Sequence, residues 1–114
     1  MRPLAALLVV AALASPAAAS ENRGTRIAMA VALLDVADDY CEGRLKVDEK
    51  VKATLFAHFH EYDIAGLASL LSRPLNSFYE DFSYQAKQGR DAFCRKAPQE
   101  AARTGYPVLL AEGG

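Results

Sequence analysis

Residues 25–43, TRIAMAVALLDVADDYCEG, decide the fold class. Ile27, Val31, Leu34 and Cys41 recur at helical spacings, Ala30 and Ala37 fill the same stripe, and Asp35, Asp39 and Glu42 turn mostly outward. That is the 3.6-residue period of an amphipathic helix. Thr25 is a candidate N-cap and Gly43 a candidate C-cap, so the expected helix carries Cys41 near its end. The polar residues before it, Ser20 to Gly24, read as a loose lead-in.

Toward the C-terminus the helical pattern repeats. Asp48 caps a second helix that sets Val51, Leu55, His58 or Phe59, and Tyr62 on one face. Asp63 caps a short third one, with Ile64, Leu67, Ala68 and Leu71 as its buried side and Pro74 as its limit. Ser77-Phe78-Tyr79-Glu80 has the S-x-x-E form of a capping box and starts a fourth. Phe78, Phe82, Ala86 and Gly89 share a stripe there, extended by Phe93 if the helix runs on. Residues 77–88 and 91–97 are two helices, the second capped by Asp91, or one helix with a close-approach glycine. Pro98 forces a restart, and Thr104-Gly105-Tyr106-Pro107 ends the helical run. Val108, Leu109 and Leu110 are too apolar to stay in water, so they fold back over the bundle or meet a partner. Apart from residues 56–62 no stretch alternates like a strand, and nothing repeats. The expected architecture is all-α, a small bundle of four or five short helices around one core.

Upstream, Arg2 is followed by an apolar run from Leu4 to Ala14 and then the small residues Ser15-Pro16-Ala17-Ala18-Ala19. This is the order of parts in a secretory signal peptide, and the run is too short for a membrane span of about 20 residues. Ala17 and Ala19 fit the small-residue sites of a signal peptidase, which places the cut between Ala19 and Ser20. Residues 1–19 are thus expected to be a leader and residues 20–114 a single exported helical domain without a membrane anchor. A short basic start and an Ala-rich apolar run fit a bacterial leader, so the product is periplasmic or secreted.

In such an oxidising compartment the two cysteines, Cys41 and Cys94, are expected to form a disulfide joining the first helix to a C-terminal one. Neither lies in a C-x-x-C or C-x-x-C-H motif, so redox and haem-attachment readings have no support. The 114 residues carry 13 basic and 14 acidic side chains, a net charge of −1, which disfavours a dedicated nucleic-acid binder. At 52% hydrophobic the chain is too apolar to be intrinsically disordered.

His58 and His60 are the only histidines. An H-x-H pair chelates a metal from a strand, but on a helix the two positions lie about 200° apart. His58 then sits on the apolar seam, hydrogen-bonded to a neighbour, and His60 faces solvent. No cofactor is signalled. The serines lack a nucleophile elbow, and no P-loop, dinucleotide-binding or zinc-protease motif occurs, so no catalytic residue is assigned. Among the aromatics, Tyr79 and Tyr84 are about 140° apart on a helix, so at least one is exposed and available to a partner.

A cleaved leader, about ninety mature residues, an all-helical pattern and one long-span cysteine pair together resemble the small periplasmic acid-stress chaperones. Tyr40 precedes Cys41 where that family carries Trp. The resemblance implies a protein that acts on other proteins. The expected function is accordingly that of a non-enzymatic exported protein working through a protein-binding surface, as an inhibitor, immunity, accessory or chaperone-like module. The alternative is a small-ligand or metal-binding protein using His58 or His60.

Overall fold

The computed structural model describes residues 16–111, with side chains from residue 22 onward. The leader assignment on residues 1–15 lies outside the described residues. The elements are α1 (Pro16–Tyr40), β1 (Leu45–Val47), α2 (Glu49–Ile64), α3 (Ser69–Gln88), α4 (Arg90–Arg103) and β2 (Leu109–Ala111). Four helices therefore carry the described fold. Among the described residues none is long and apolar enough to cross a membrane.

α1 is the central element. Its Ile27, Ala28, Ala30, Ala32, Leu33, Leu34, Val36 and Ala37 are all buried, so apolar residues cover almost its whole circumference rather than one stripe. Helices that are apolar all round are enclosed by neighbours. α3 lies along α1, while α2 and α4 pack on it over shorter lengths. The expected lead-in at 20–24 is instead part of α1, and Thr25 lies inside the helix rather than at its cap. The helix continues upstream because Gly24 is buried at a crossing. A Cβ there would stand 3.2 Å from Tyr62 Cε2 and 3.3 Å from the Leu70 carbonyl oxygen. The Ala19–Ser20 bond also falls within α1, so a cut there would leave residues 20–40 of that helix.

α1 ends at Tyr40, and the chain reverses through a turn closed by the Arg44 N–H donating to the Cys41 carbonyl at 2.9 Å. Gly43, at φ 81°, occupies the left-handed position of that turn, which glycine adopts without steric cost. β1 then pairs antiparallel with β2, Leu45 opposite Ala111, Lys46 opposite Leu110 and Val47 opposite Leu109. The all-helical expectation contained no strands. Three residues per strand are too few for alternation to show, and it is burial of Val108 and Leu109 that draws the tail back onto the bundle.

α2 starts as the sequence indicates, with Asp48 Oδ1 accepting from the Lys50 and Val51 amides, both at 3.1 Å. Its end does not: Asp63 and Ile64 complete α2 rather than opening a third helix. Ile64 and Leu67, assigned above to a buried side, are exposed, and only Leu71 of that group is buried. α3 then runs unbroken from Ser69 to Gln88, through Pro74 and through Ser77, so the capping box lies mid-helix. Pro74 is carried inside the helix although it removes one N–H and crowds the carbonyl four residues back, because Leu71, Leu75, Phe78 and Phe82 pack the same helix onto the core. The Leu70 carbonyl that it leaves without that helical donor is the one pressed against Gly24.

Gly89 separates α3 from α4 in an extended conformation. Of the two alternatives left open, two helices is the observed one. Asp91 does not cap the second; its carboxylate pairs with Arg44 across the turn. Pro98 also sits inside α4 without restarting it, because Ala97 and Ala101 on the buried face hold the helix to the core.

The core has two parts. The larger gathers Leu33, Val36, Ala37, Phe82, Phe93, Ala97, Val108 and Leu109 around the Cys41–Cys94 disulfide, whose Cα atoms are 5.6 Å apart. There Phe78, Phe82 and Phe93 form a chain of rings with centroids 6.1 and 6.2 Å apart. The smaller joins Ile27 and Ala30 of α1 to Leu55 and Tyr62 of α2 and Leu71 of α3.

Candidate functional site

α2 carries both histidines and is the element whose two sides differ most from ordinary helix chemistry. Its inner side is the seam read from the sequence: Leu55 and Tyr62 are buried, and Val51, His58 and Phe59 half-buried. His58 Nδ1 lies 2.7 Å from the Tyr106 hydroxyl, with the two rings edge to face at 5.7 Å. Tyr106 is itself set by Thr104, the one buried polar side chain among the described residues. The Thr104 hydroxyl donates to the Ala101 carbonyl at 2.6 Å and accepts from the Tyr106 amide at 3.0 Å. His60 is exposed on the opposite side.

That opposite side is apolar as well. At 100° per residue Ala53, Phe56, Ala57, His60 and Ile64 fall within one arc of about 100°. All five are exposed, Phe56 at 42% and Ile64 at 73%, and Leu67 extends the patch into the following turn. Phe56 also leans on Phe59, centroids 6.5 Å apart, so the patch is continuous with the seam at one edge. From Ala53 to Ile64 this outer arc holds no Asp, Glu, Lys or Arg.

Glu49 lies on the outer arc one turn before Ala53, and the other charges of α2 lie on its flanks, Lys50 and Glu61 on one, Lys52 and Asp63 on the other. On each flank the cation is near the helix start and the anion near its end. That order opposes the helix dipole, which favours acids at the start and bases at the end by about 0.3–1 kcal/mol each. Glu49, in the first turn, and the capping carboxylate of Asp48 follow the dipole rule.

The remaining sequence candidates are spread over the molecule. Cys41 and Cys94 are joined, fixing the end of α1 to α4. His58 and His60 point apart, and among the described residues no group of three or more His, Cys, Asp or Glu is arranged to hold a metal ion. Tyr79 and Tyr84 are both exposed, at 40% and 63%, but their separation around α3 puts them on different parts of its surface. The helical pattern that located the inner seam of α2 contained the outer patch too; counting angles for Phe56 and Ile64 would have found it. At Asp91 the hydrogen bond donated by Arg44, then the Arg44 charge, hold the carboxyl below the ordinary value of 3.8.

No protein family, curated protein or solved structure matches this chain.

Proposed function

We propose that this is an exported, non-enzymatic helical protein that works by binding another protein through the outer face of α2. The observation that carries the reading is an exposed helix face on which the large apolar Phe56 and Ile64 stand in water between Ala53, Ala57 and His60. The leader-like N-terminus supports export, and the disulfide suits an oxidising compartment such as a periplasm. Alanines at 53 and 57 allow a close approach between Phe56 and Ile64, the alternation of small and large that lets one helix seat against another. The flank charges define the partner's chemistry: an amphipathic helix laid antiparallel, basic first and acidic last on each flank, meets opposite charges along its length. Charges that weaken α2 alone are explained if they serve that contact.

The test compares capture from the native exported fraction by the disulfide-bonded protein, by Ile64→Asp and by Tyr84→Asp. One stoichiometric partner is expected with the unmodified protein and with Tyr84→Asp, and its loss with Ile64→Asp. Hydrogen exchange in the recovered complex should show protection concentrated on residues 53–64. Equal recovery by all three proteins, or a footprint on Tyr79 and Tyr84, removes this face from the binding role.

A further inference from the structure

A second feature of α2 uses neither Phe56 nor Ile64 and shares only the Lys50/Glu61 flank with the outer face. Between α1, α2 and the loop after α4 lies a cleft of about 450 Å³, lined by Arg23, Arg26, Lys50, Thr54, His58 and Tyr106, with Val51, Thr104, Gly105 and Pro107 closing its walls. Its size falls in the range of small-molecule sites. We propose that this cleft binds a compact organic anion carrying two or three negative charges.

Three cations line it from two helices, and no described lining residue is acidic. The whole chain is at −1, so this concentration is a local departure from a near-neutral surface. Arg23 and Arg26 are three apart on α1 and share a face, and Lys50, Thr54 and His58, each four apart, form one stripe of α2. Arg23 has a long pair with Glu61, at 3.7 Å. Among the described residues neither Arg26 nor Lys50 has an acidic partner within salt-bridge distance. Lys50 stands in the first turn of its helix, where the dipole opposes a cation, and an anion in the cleft would relieve that repulsion.

The wall opposite is tied by hydrogen bonds. Thr104 ties down the loop, Gly105 turns it at φ 90°, and the Tyr106 hydroxyl meets His58. A neutral tyrosine–histidine pair holds two protons and uses one between its partners. The other stays on Nε2 of His58 or on the Tyr106 oxygen, so either arrangement leaves one donor on a residue of the cleft. Three cations and a hydroxyl or imidazole donor recognise carboxylate or phosphate oxygens, and Val51, Pro107 and the Tyr106 ring supply apolar area for a small carbon skeleton.

The experiment is a titration of the disulfide-bonded protein, followed by backbone amide shifts in NMR, with citrate, inorganic phosphate and benzoate at one low ionic strength. Saturable shifts confined to residues around Arg26, Lys50, Thr54 and Tyr106 are expected, with citrate or phosphate binding at least about tenfold more tightly than the singly charged benzoate. Tighter citrate assigns the ligand to the polycarboxylates, and tighter phosphate to the phosphate esters. Arg26→Gln should weaken the preferred probe about tenfold with the melting temperature unchanged, and Tyr106→Phe by a smaller factor. Arg95→Gln, a cation on a different groove, should leave binding intact. Shifts that never saturate, or an equal loss in Arg95→Gln, would show general charge screening and overturn the proposal. Because Phe56 and Ile64 are outside the cleft, failure here leaves the outer-face reading standing, and Ile64→Asp should bind citrate normally.

Discussion

The two ends of α1 are held by different physics. Around Cys41 the helix is fixed by a disulfide, a strand pair, a line of three phenylalanine rings and the Arg44–Asp91 pair, all bearing on the larger part of the core. Around Gly24 no covalent link acts: Tyr62 and Leu70 are pressed onto a glycine, a smaller apolar cluster stands behind them, and the long Arg23–Glu61 pair lies at the surface. The first end tolerates a polar loop and short strands because a covalent bond limits what the unfolded chain can explore. The second depends on shape, and it is the end that bears both the apolar outer face and the cleft. Both proposed binding surfaces lie where the scaffold is least redundantly fixed, which fits the general placement of binding elements at the less stable end of a fold.

The strongest way to break this contrast is to remove the bridge. Closing a 53-residue loop stabilises a domain by about 4 kcal/mol in the chain-entropy picture. Cys41→Ala combined with Cys94→Ala should therefore lower the stability measured by urea unfolding by about that amount. Amide exchange should then rise at β1, β2 and α4, making the Cys41 end as labile as the Gly24 end. An unchanged midpoint would mean that packing alone fixes both ends.

A smaller effect is expected at the crossing. Gly24→Leu forces side-chain atoms against the Leu70 backbone, an overpacking cost of about 2 kcal/mol, against about 1 kcal/mol gained in helix propensity. The net result should be destabilising, with exchange rising in α2 while the Phe82–Phe93 region stays protected. A stabilised variant would show that the crossing opens easily and that shape does not hold this end.

The smallest effect sharpens the contrast through pH. Asp91 has a lowered pKa in the folded protein because Arg44 donates to its carboxylate, so its contribution is fully present above the ordinary carboxyl value. As pH falls through the lowered folded value the proton returns and that contribution is lost. Asp91→Asn should flatten the acid side of the stability profile slightly, as followed by circular dichroism, without altering binding at α2. The pair is solvent-exposed, so added salt should reduce the difference between the two proteins.

Much of the stapled end was legible in the chain because its signals are pairwise or strictly local. Two cysteines admit one pairing, Asp48 sits one residue before a helix, and Phe78 and Phe82 keep a common stripe of α3, which Phe93 meets from α4 across the Gly89 break. The signals that misled were local as well. Ser77 and Glu80 have the composition of a cap, but α3 already supplies their amides with helical partners. Pro74 and Pro98 look like stops, yet each removes a single amide from a helix whose buried face is otherwise intact. α1 hid its role because alanines cover the part of its surface that a polar face would have occupied. The cleft was out of reach for another reason: Arg26, Lys50 and Tyr106 are brought together only when three separate elements meet. His58 was readable as a seam residue with a partner, though nothing in its surroundings in sequence names Tyr106.

The strand pair also bears on the order in which the chain closes. Val47 and Leu109 are about 60 positions apart along the backbone, but about 20 apart by the path that crosses the bridge. Loop-closure entropy grows with the logarithm of that distance, so an oxidised chain forms the ribbon at a saving of about 1 kcal/mol. Oxidation therefore converts a distant pairing into a near-local one, and the ribbon should assemble last and slowly in any chain whose thiols are still reduced.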